Sequence, residues 1–170
     1  MKAPVQVEKW SPPNRPFLKL NVDAATDGKC GVSGVCMALR DEVGQLKFAA
    51  HQVIPGNPPV LAIEALAVLH GLKLCLQEGC RNVELESDAA NVLFALNKSG
   101  LDLSIEGAIF DEVRMLMPEF EHLKWRKINR SCNQVAHTLA RQALRATGWS
   151  FWKEAGPPWL EEVIDNDRIF

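Results

Sequence analysis

Three carboxylates stand within or at the end of apolar segments. Asp23 follows FLKLNV, Glu64 is embedded in LAIEALAVLHGLKL, and Asp88 follows NVELES. The first and third segments read as strands that finish on an acid, and the second reads as a helix with one acid among aliphatics. Sheets place functional groups at strand ends. Acids supplied by several elements can share a divalent cation, because hard cations prefer oxygen ligands. A single acid at a strand end is ordinarily a turn residue, so the chemistry rests on the three together, in this order.

Each acid also has a plainer reading. At ~100° per residue, Leu61, Ala65, Val68, Leu72 and Leu76 form one helical stripe, with Glu64 on its margin. That position suits a solvent-facing glutamate, or a side chain reaching along a sheet while its stem stays packed. Ser87 or Asp88 can cap the helix that begins AANVLFAL. Asp23 can open the loop AATDGKCG, although Asp27 beside Gly28 is the more natural turn acid.

The elements that must position these acids follow from periodicity. Leu18, Leu20 and Val22 alternate with Lys19, Asn21 and Asp23, which predicts a first strand ending at Asp23. Strands are expected at about 32–39 and 46–53, joined by the hairpin turn DEVGQ. PGNPP breaks the pattern before a helix over about 60–76, which Gly79 terminates. A fourth strand over about 82–86 precedes a helix from near Asp88 to Gly100. A helix over about 104–117 is stopped by Pro118. A fifth strand over about 122–128 and a last helix over about 133–146 complete the pattern. The order predicts an α/β fold. Its mixed five-stranded sheet has three antiparallel strands, then two parallel ones behind helical crossovers, with helices on both faces. Residues 1–16 read as an arm or linker, 17–147 as the domain, and 148–170 as a Trp/Pro-rich, irregular extension.

The chain has 170 residues, of which 47% are hydrophobic and 24% charged, enough for one domain with a sizeable core. Its apolar runs fall short of the ~20 residues that span a bilayer, and MKAPVQVEKWSPPNRP lacks a signal-type apolar core. These features point to an intracellular protein, nuclear or cytoplasmic, with no membrane partner. Five cysteines without a CxxC pair support neither a disulfide framework nor a zinc cluster. A net charge of −2 argues against a strongly basic nucleic-acid platform.

Five segments in order carry a resemblance. They are WSPPNRPFLKLNVDAA, RDEVGQL, AIEALAVLHGLKL, VELESDAANVL and NRSCNQVAHTLARQA. Together they resemble the type 1 ribonuclease H family, especially its plant branch related to retroelement reverse transcriptases, over about residues 10–160. The resemblance implies a metal-dependent endoribonuclease that hydrolyses the RNA strand of RNA/DNA hybrids by a two-metal mechanism. It implies Mg²⁺, with Mn²⁺ as an alternative, held by Asp23, Glu64, Asp88 and His137, which are also the catalytic residues it implies. His137 occupies the position where well-characterised members carry a fourth acid. Imidazole accepts Mn²⁺ more readily than Mg²⁺, so this departure bears on a second metal. It equally leaves open a weak or inactive module that binds nucleic acid or protein.

Asn133, Arg130 and Lys127 are the residues expected to contact nucleic acid, within a basic cluster that also includes Lys124, Arg126 and Arg141. The stretch LDLSIEGAIFDEV is acidic, so the basic protrusion of some relatives has no counterpart here. Nothing in the sequence points to an obligate protein partner.

Overall fold

The computed structural model describes residues 1–98 and 100–168. The chain runs β1 (Leu18–Asp27), β2 (Val32–Arg40), β3 (Leu46–Pro55), α1 (Val60–Gln77), β4 (Asn82–Ser87) and α2 (Ala90–Asn97). It continues with α3 (Ile105–Leu116), β5 (His122–Lys127), α4 (Gln134–Ala143), β6 (Trp149–Lys153) and α5 (Pro158–Asp167). The sheet order is β5-β4-β1-β2-β3-β6. β1, β2 and β3 are antiparallel neighbours, while β4 lies parallel to both β1 and β5.

Local chemistry explains the punctuation. Asp41 Oδ1 accepts from the amides of Val43 and Gln45, and Gly44 supplies the positive φ that closes the β2–β3 hairpin. Gly79, also at positive φ, ends α1, and the Cys80 amide reaches back to the Cys75 carbonyl. Ser104 caps α3 by accepting from the Gly107 amide.

Three expectations are corrected. The sheet has six strands rather than five, and the C-terminal extension is regular. Residues Trp149–Lys153 pair antiparallel with β3, and Pro158 opens α5 from the first helical turn. Within WSFWK the β-favouring Trp149, Phe151 and Trp152 read as a strand. Phe151 packs on Phe48, and Trp152 stacks on His51 and meets Trp159 edge-on. β1 also continues past Asp23 to Asp27, because β2 pairs with it along that whole length.

Helices cover both faces. α1 lies on one, against β1 and β2, with α3 beside it. There Leu20, Val22, Met37, Leu39 and Phe48 pack with Ile63, Val68 and Leu72. α1 is long and apolar enough by composition to cross a membrane, but it is the core helix on this face. α4 and α5 lie on the other face. α4 approaches closely: a Cβ at Gly34 of β2 would stand 2.7 Å from Ala143 Cβ and 2.9 Å from the Ala140 carbonyl oxygen.

The residue before the domain that matters most is Trp10. It is 2% exposed, and its ring lies 3.8 Å from the Arg40 guanidinium. Arg40 is itself buried and forms a 2.8 Å ion pair with Asp167 of α5. The arm and the C-terminal helix therefore meet across the second face of the sheet.

Candidate active site

β1 and β4 pair in parallel from Leu18–Val83 to Asn21–Glu86. Two further steps along that register level Asp23 with Asp88, just where β4 ends at Ser87. Asp23 is thus mid-strand, yet it stands where β1 loses its parallel neighbour. Glu64 comes from the first turns of α1 and is buried, which resolves its marginal position on the stripe. His137 is on α4, with Nδ1 3.3 Å from Asp23 Oδ2.

Burial and mutual repulsion act on these acids together. Asp23 is raised from 3.8 to about 6 by burial first and by the Asp88 charge second, against the lowering effect of the Ala24 amide and His137. Glu64 is raised from 4.5 to about 8 by burial, then by Asp23 and Asp88, and Arg130 opposes that rise. Glu64 Oε2 is buried with no hydrogen-bond partner among the described residues. Such an atom costs free energy unless it finds a proton or a cation.

Asp88 is held differently. Its Oδ1 accepts from Asn133 Nδ2 at 3.0 Å, and its Oδ2 lies 3.3 Å from Arg130 Nε. Among the described residues, no three His, Cys, Asp or Glu side chains stand around one point closely enough to hold a metal ion. The set fits a hard cation in its chemistry. It offers carboxylate oxygens, one of them orphaned, and two acids resist ionisation without a counter-charge. The Asp88–Arg130 contact is what must give way for that oxygen to join.

The residues expected at a nucleic-acid surface divide. Arg130 and Lys127 are exposed beside the site. Asn133, expected there too, is fully buried. Its amide serves Val22 and Asp88, and its carbonyl oxygen serves Asn21, so it faces inward. Sequence reasoning missed Trp10, Asn21, Arg40 and Glu86, all buried behind the site. Glu86 accepts from Arg126 Nη2 at 2.7 Å and lies 3.3 Å from Lys19 Nζ. The alternation of FLKLNVD marks Lys19 and Asn21 as the polar side of β1 but does not tell whether that side is covered. The one available signal was Trp10, an aromatic placed just ahead of that face.

This sheet, with its two parallel strands entering the β1–β4 junction and helices on both sides, is the fold of type 1 ribonuclease H. The ribonuclease H1 of the archaeon Halobacterium salinarum superimposes with a TM-score of 0.68 and 22% identity, over 76% of this chain and 98% of the archaeal one. LC11 ribonuclease H1, solved in complex with an RNA/DNA hybrid, superimposes with a TM-score of 0.67 and 18% identity, over 75% and 96%. The prototype foamy virus protease-reverse transcriptase gives a TM-score of 0.61 at 14% identity, over 84% of this chain and 23% of the viral one. No curated protein matches the chain. The family model described as reverse transcriptase-like matches residues 21–143. The chain belongs to the reverse transcriptase-like family. The matched span includes Asp23, Glu64, Asp88 and His137, and leaves Trp10, β6 and α5 outside it.

Proposed function

We propose that this chain is a divalent-metal-dependent endoribonuclease that hydrolyses the RNA strand of RNA/DNA hybrids. The observation that carries this reading is the crowding of buried acids at the β1–β4 junction, which resist ionisation for want of a counter-charge. Asp23 and Glu64 are raised to about 6 and about 8, and Glu64 Oε2 is without a partner among the described residues. A fold does not gather such acids without cost, and a cation that binds there is favoured by relief of the repulsion. The family membership and the hybrid-bound LC11 relative support the substrate class.

Asp23, Glu64 and Asp88 are the residues that would hold Mg²⁺ or Mn²⁺, with His137 beside Asp23. When bound, such ions supply an attacking water at neutral pH and neutralise charge at the phosphate. The chain's own residues prepare that step. The Ala24 amide holds Asp23 Oδ1 at 2.9 Å, leaving Oδ2 to face His137 and the opening. His137 Nδ1 lies 3.3 Å from Oδ2, and in the tautomer that carries its hydrogen on Nδ1 it donates there and fixes the direction of that oxygen. Glu64 can accept a hydrogen bond from a ribose 2′-hydroxyl, the group that distinguishes RNA from DNA. Arg130 and Lys127 place positive charge where the phosphates of the duplex would pass.

Cleavage of a labelled RNA/DNA hybrid in Mg²⁺ and in Mn²⁺, for the wild type and Asp23→Asn, tests the reading. Metal-dependent cleavage lost in the variant is the expected result. No cleavage in either metal overturns it. His137→Asp is expected to raise the rate in Mg²⁺ relative to Mn²⁺, because a carboxylate suits the harder ion. An unchanged ratio removes His137 from the site.

One observation favours a second reading, a module that binds nucleic acid or protein without cutting. Arg130 occupies Asp88, and the acids do not close around a common point among the described residues. Hybrid binding that is indifferent to divalent ions would select it.

A further inference from the structure

A chain of buried amides connects the N-terminal arm to the site, and its direction is chemically forced. Trp10 Nε1 can only donate, so the Asn21 atom 3.0 Å away must be the carbonyl oxygen Oδ1. Asn21 Nδ2 then points at Glu86 Oε1, 3.1 Å away, and an ionised carboxylate can only accept. These two constraints fix the same orientation of the Asn21 amide independently. Its Nδ2 also donates to Asn133 Oδ1 at 3.2 Å. Asn133 Nδ2 is thereby turned toward the Val22 carbonyl and Asp88 Oδ1, each 3.0 Å away and each an acceptor. Asn21 and Asn133 are both fully buried, so water does not compete for these bonds.

We propose that Trp10 is a positioning residue for Asp88, acting through Asn21 and Asn133. The relay rests on the proposed nuclease site only for its consequence in catalysis, and its geometry stands without it. Reversing either asparagine would set two donors or two acceptors against each other within this row, and burial makes that costly. Trp10 is the donor that starts the row, and it belongs to the arm rather than to the sheet. Arg40 Nη2 also approaches Asn21 Oδ1, at 3.4 Å, and Glu86 holds the other end of that amide. The arm thus supplies the closest donor to Asn21 Oδ1 and tightens, rather than alone selects, the orientation of the amide meeting the Asp88 carboxylate.

The test uses the full ¹⁵N-labelled chain without metal. Trp10→Phe keeps a ring beneath Arg40 and removes the N–H. Exchange of the Asn133 side-chain amide protons is expected to quicken by about tenfold. Leu72→Ala, an aliphatic truncation on the opposite face, lowers the melting temperature without that change. Asn133 exchange that is unaltered in Trp10→Phe, or altered equally in Leu72→Ala, overturns the relay. The row is also readable in reverse if Trp10→Phe fails to fold. In Asp88→Asn the Trp10 indole N–H resonance is expected to shift, and an unmoved resonance overturns the proposal. In hybrid cleavage, Trp10→Phe is expected to lower kcat with KM held within about twofold, the signature of a lost positioning effect. Absence of all cleavage in the wild type would fell the ribonuclease reading while the amide exchange still decides the relay.

Discussion

Both faces of the sheet carry an apolar cluster, but one of them also buries a row of polar and charged side chains. Toward α1, Leu20, Val22, Met37 and Leu39 meet Ile63, Val68 and Leu72, and dispersion and the hydrophobic effect hold them together. Toward α4 and α5, the alternate residues of the same strands include Lys19, Asn21, Asp23 and Arg40, which are just as deeply buried. Aliphatic packing depends on volume and tolerates a change of shape. Hydrogen-bonded and charged packing depends on direction, and each group left without its partner costs its full desolvation. The acids of the site draw on both faces: Asp23 belongs to the directional one, and Glu64 arrives on the helix that covers the aliphatic one.

The sharpest contrast is in activity. Asp23→Asn is expected to abolish hybrid cleavage with the circular dichroism spectrum intact, while Leu72→Met, of similar burial, keeps a rate near wild type. Loss of cleavage in both would mean that the aliphatic face holds the site as tightly as the polar one.

Stability should separate the faces next. Arg40→Met leaves Asp167 buried opposite an uncharged chain, and urea unfolding is expected to show a loss of ~3–5 kcal/mol. Leu72→Met is expected to cost less than ~1.5 kcal/mol. Adding Asp167→Leu to Arg40→Met should recover part of the loss, because no unpaired charge then remains. Equal costs for the two single variants would break the comparison.

The pH dependence is a smaller effect. In the folded chain Asp23 and Glu64 titrate at about 6 and about 8, above their ordinary 3.8 and 4.5. Through that interval the folded state keeps protons that the unfolded state releases. Stability from these groups is therefore greatest at low pH and declines as pH rises toward 8, with a slope of ~1.4 kcal/mol per pH unit for each proton so retained. With divalent ions chelated, Glu64→Gln is expected to flatten that decline in unfolding curves measured from pH ~4.5 to ~8. A parallel decline in the variant would mean that Glu64 is not the group responsible.

The smallest effect concerns exposed charge. Lys127→Ala is expected to reduce the salt dependence of hybrid binding by about one counterion while leaving the melting temperature unchanged. An unchanged slope would place the duplex elsewhere.

The architecture and the order of the acids were legible because period-two alternation in β1 and the apolar stripe of α1 are direct imprints of burial. Asp23, Glu64 and Asp88 could be singled out for the same reason, each being an acid in an apolar setting. What alternation cannot say is whether a polar face is wet. Lys19 and Asn21 occupy polar positions, yet Trp10 and the residues around α4 cover them. That cover comes from distant segments, so no local pattern announces it. Asn133 was misplaced at the surface for the same reason, its type being visible and its partners not. β6 was missed because glycine and proline flank a short aromatic run, and its strand character depends on pairing with β3.

The close seat of α4 on β2 has one further consequence. At Gly34 a missing methyl group acts as a gauge: it sets how low α4 can rest, since Ala140 and Ala143 already fill the space a Cβ would need. His137 lies one turn earlier on the same helix, and its reach to Asp23 is 3.3 Å, near the limit of a hydrogen bond. Lifting the helix by a few tenths of an ångström would put that contact out of range. The tolerance of the imidazole–carboxylate pair is thus machined into the sheet at a position that bears no functional group at all.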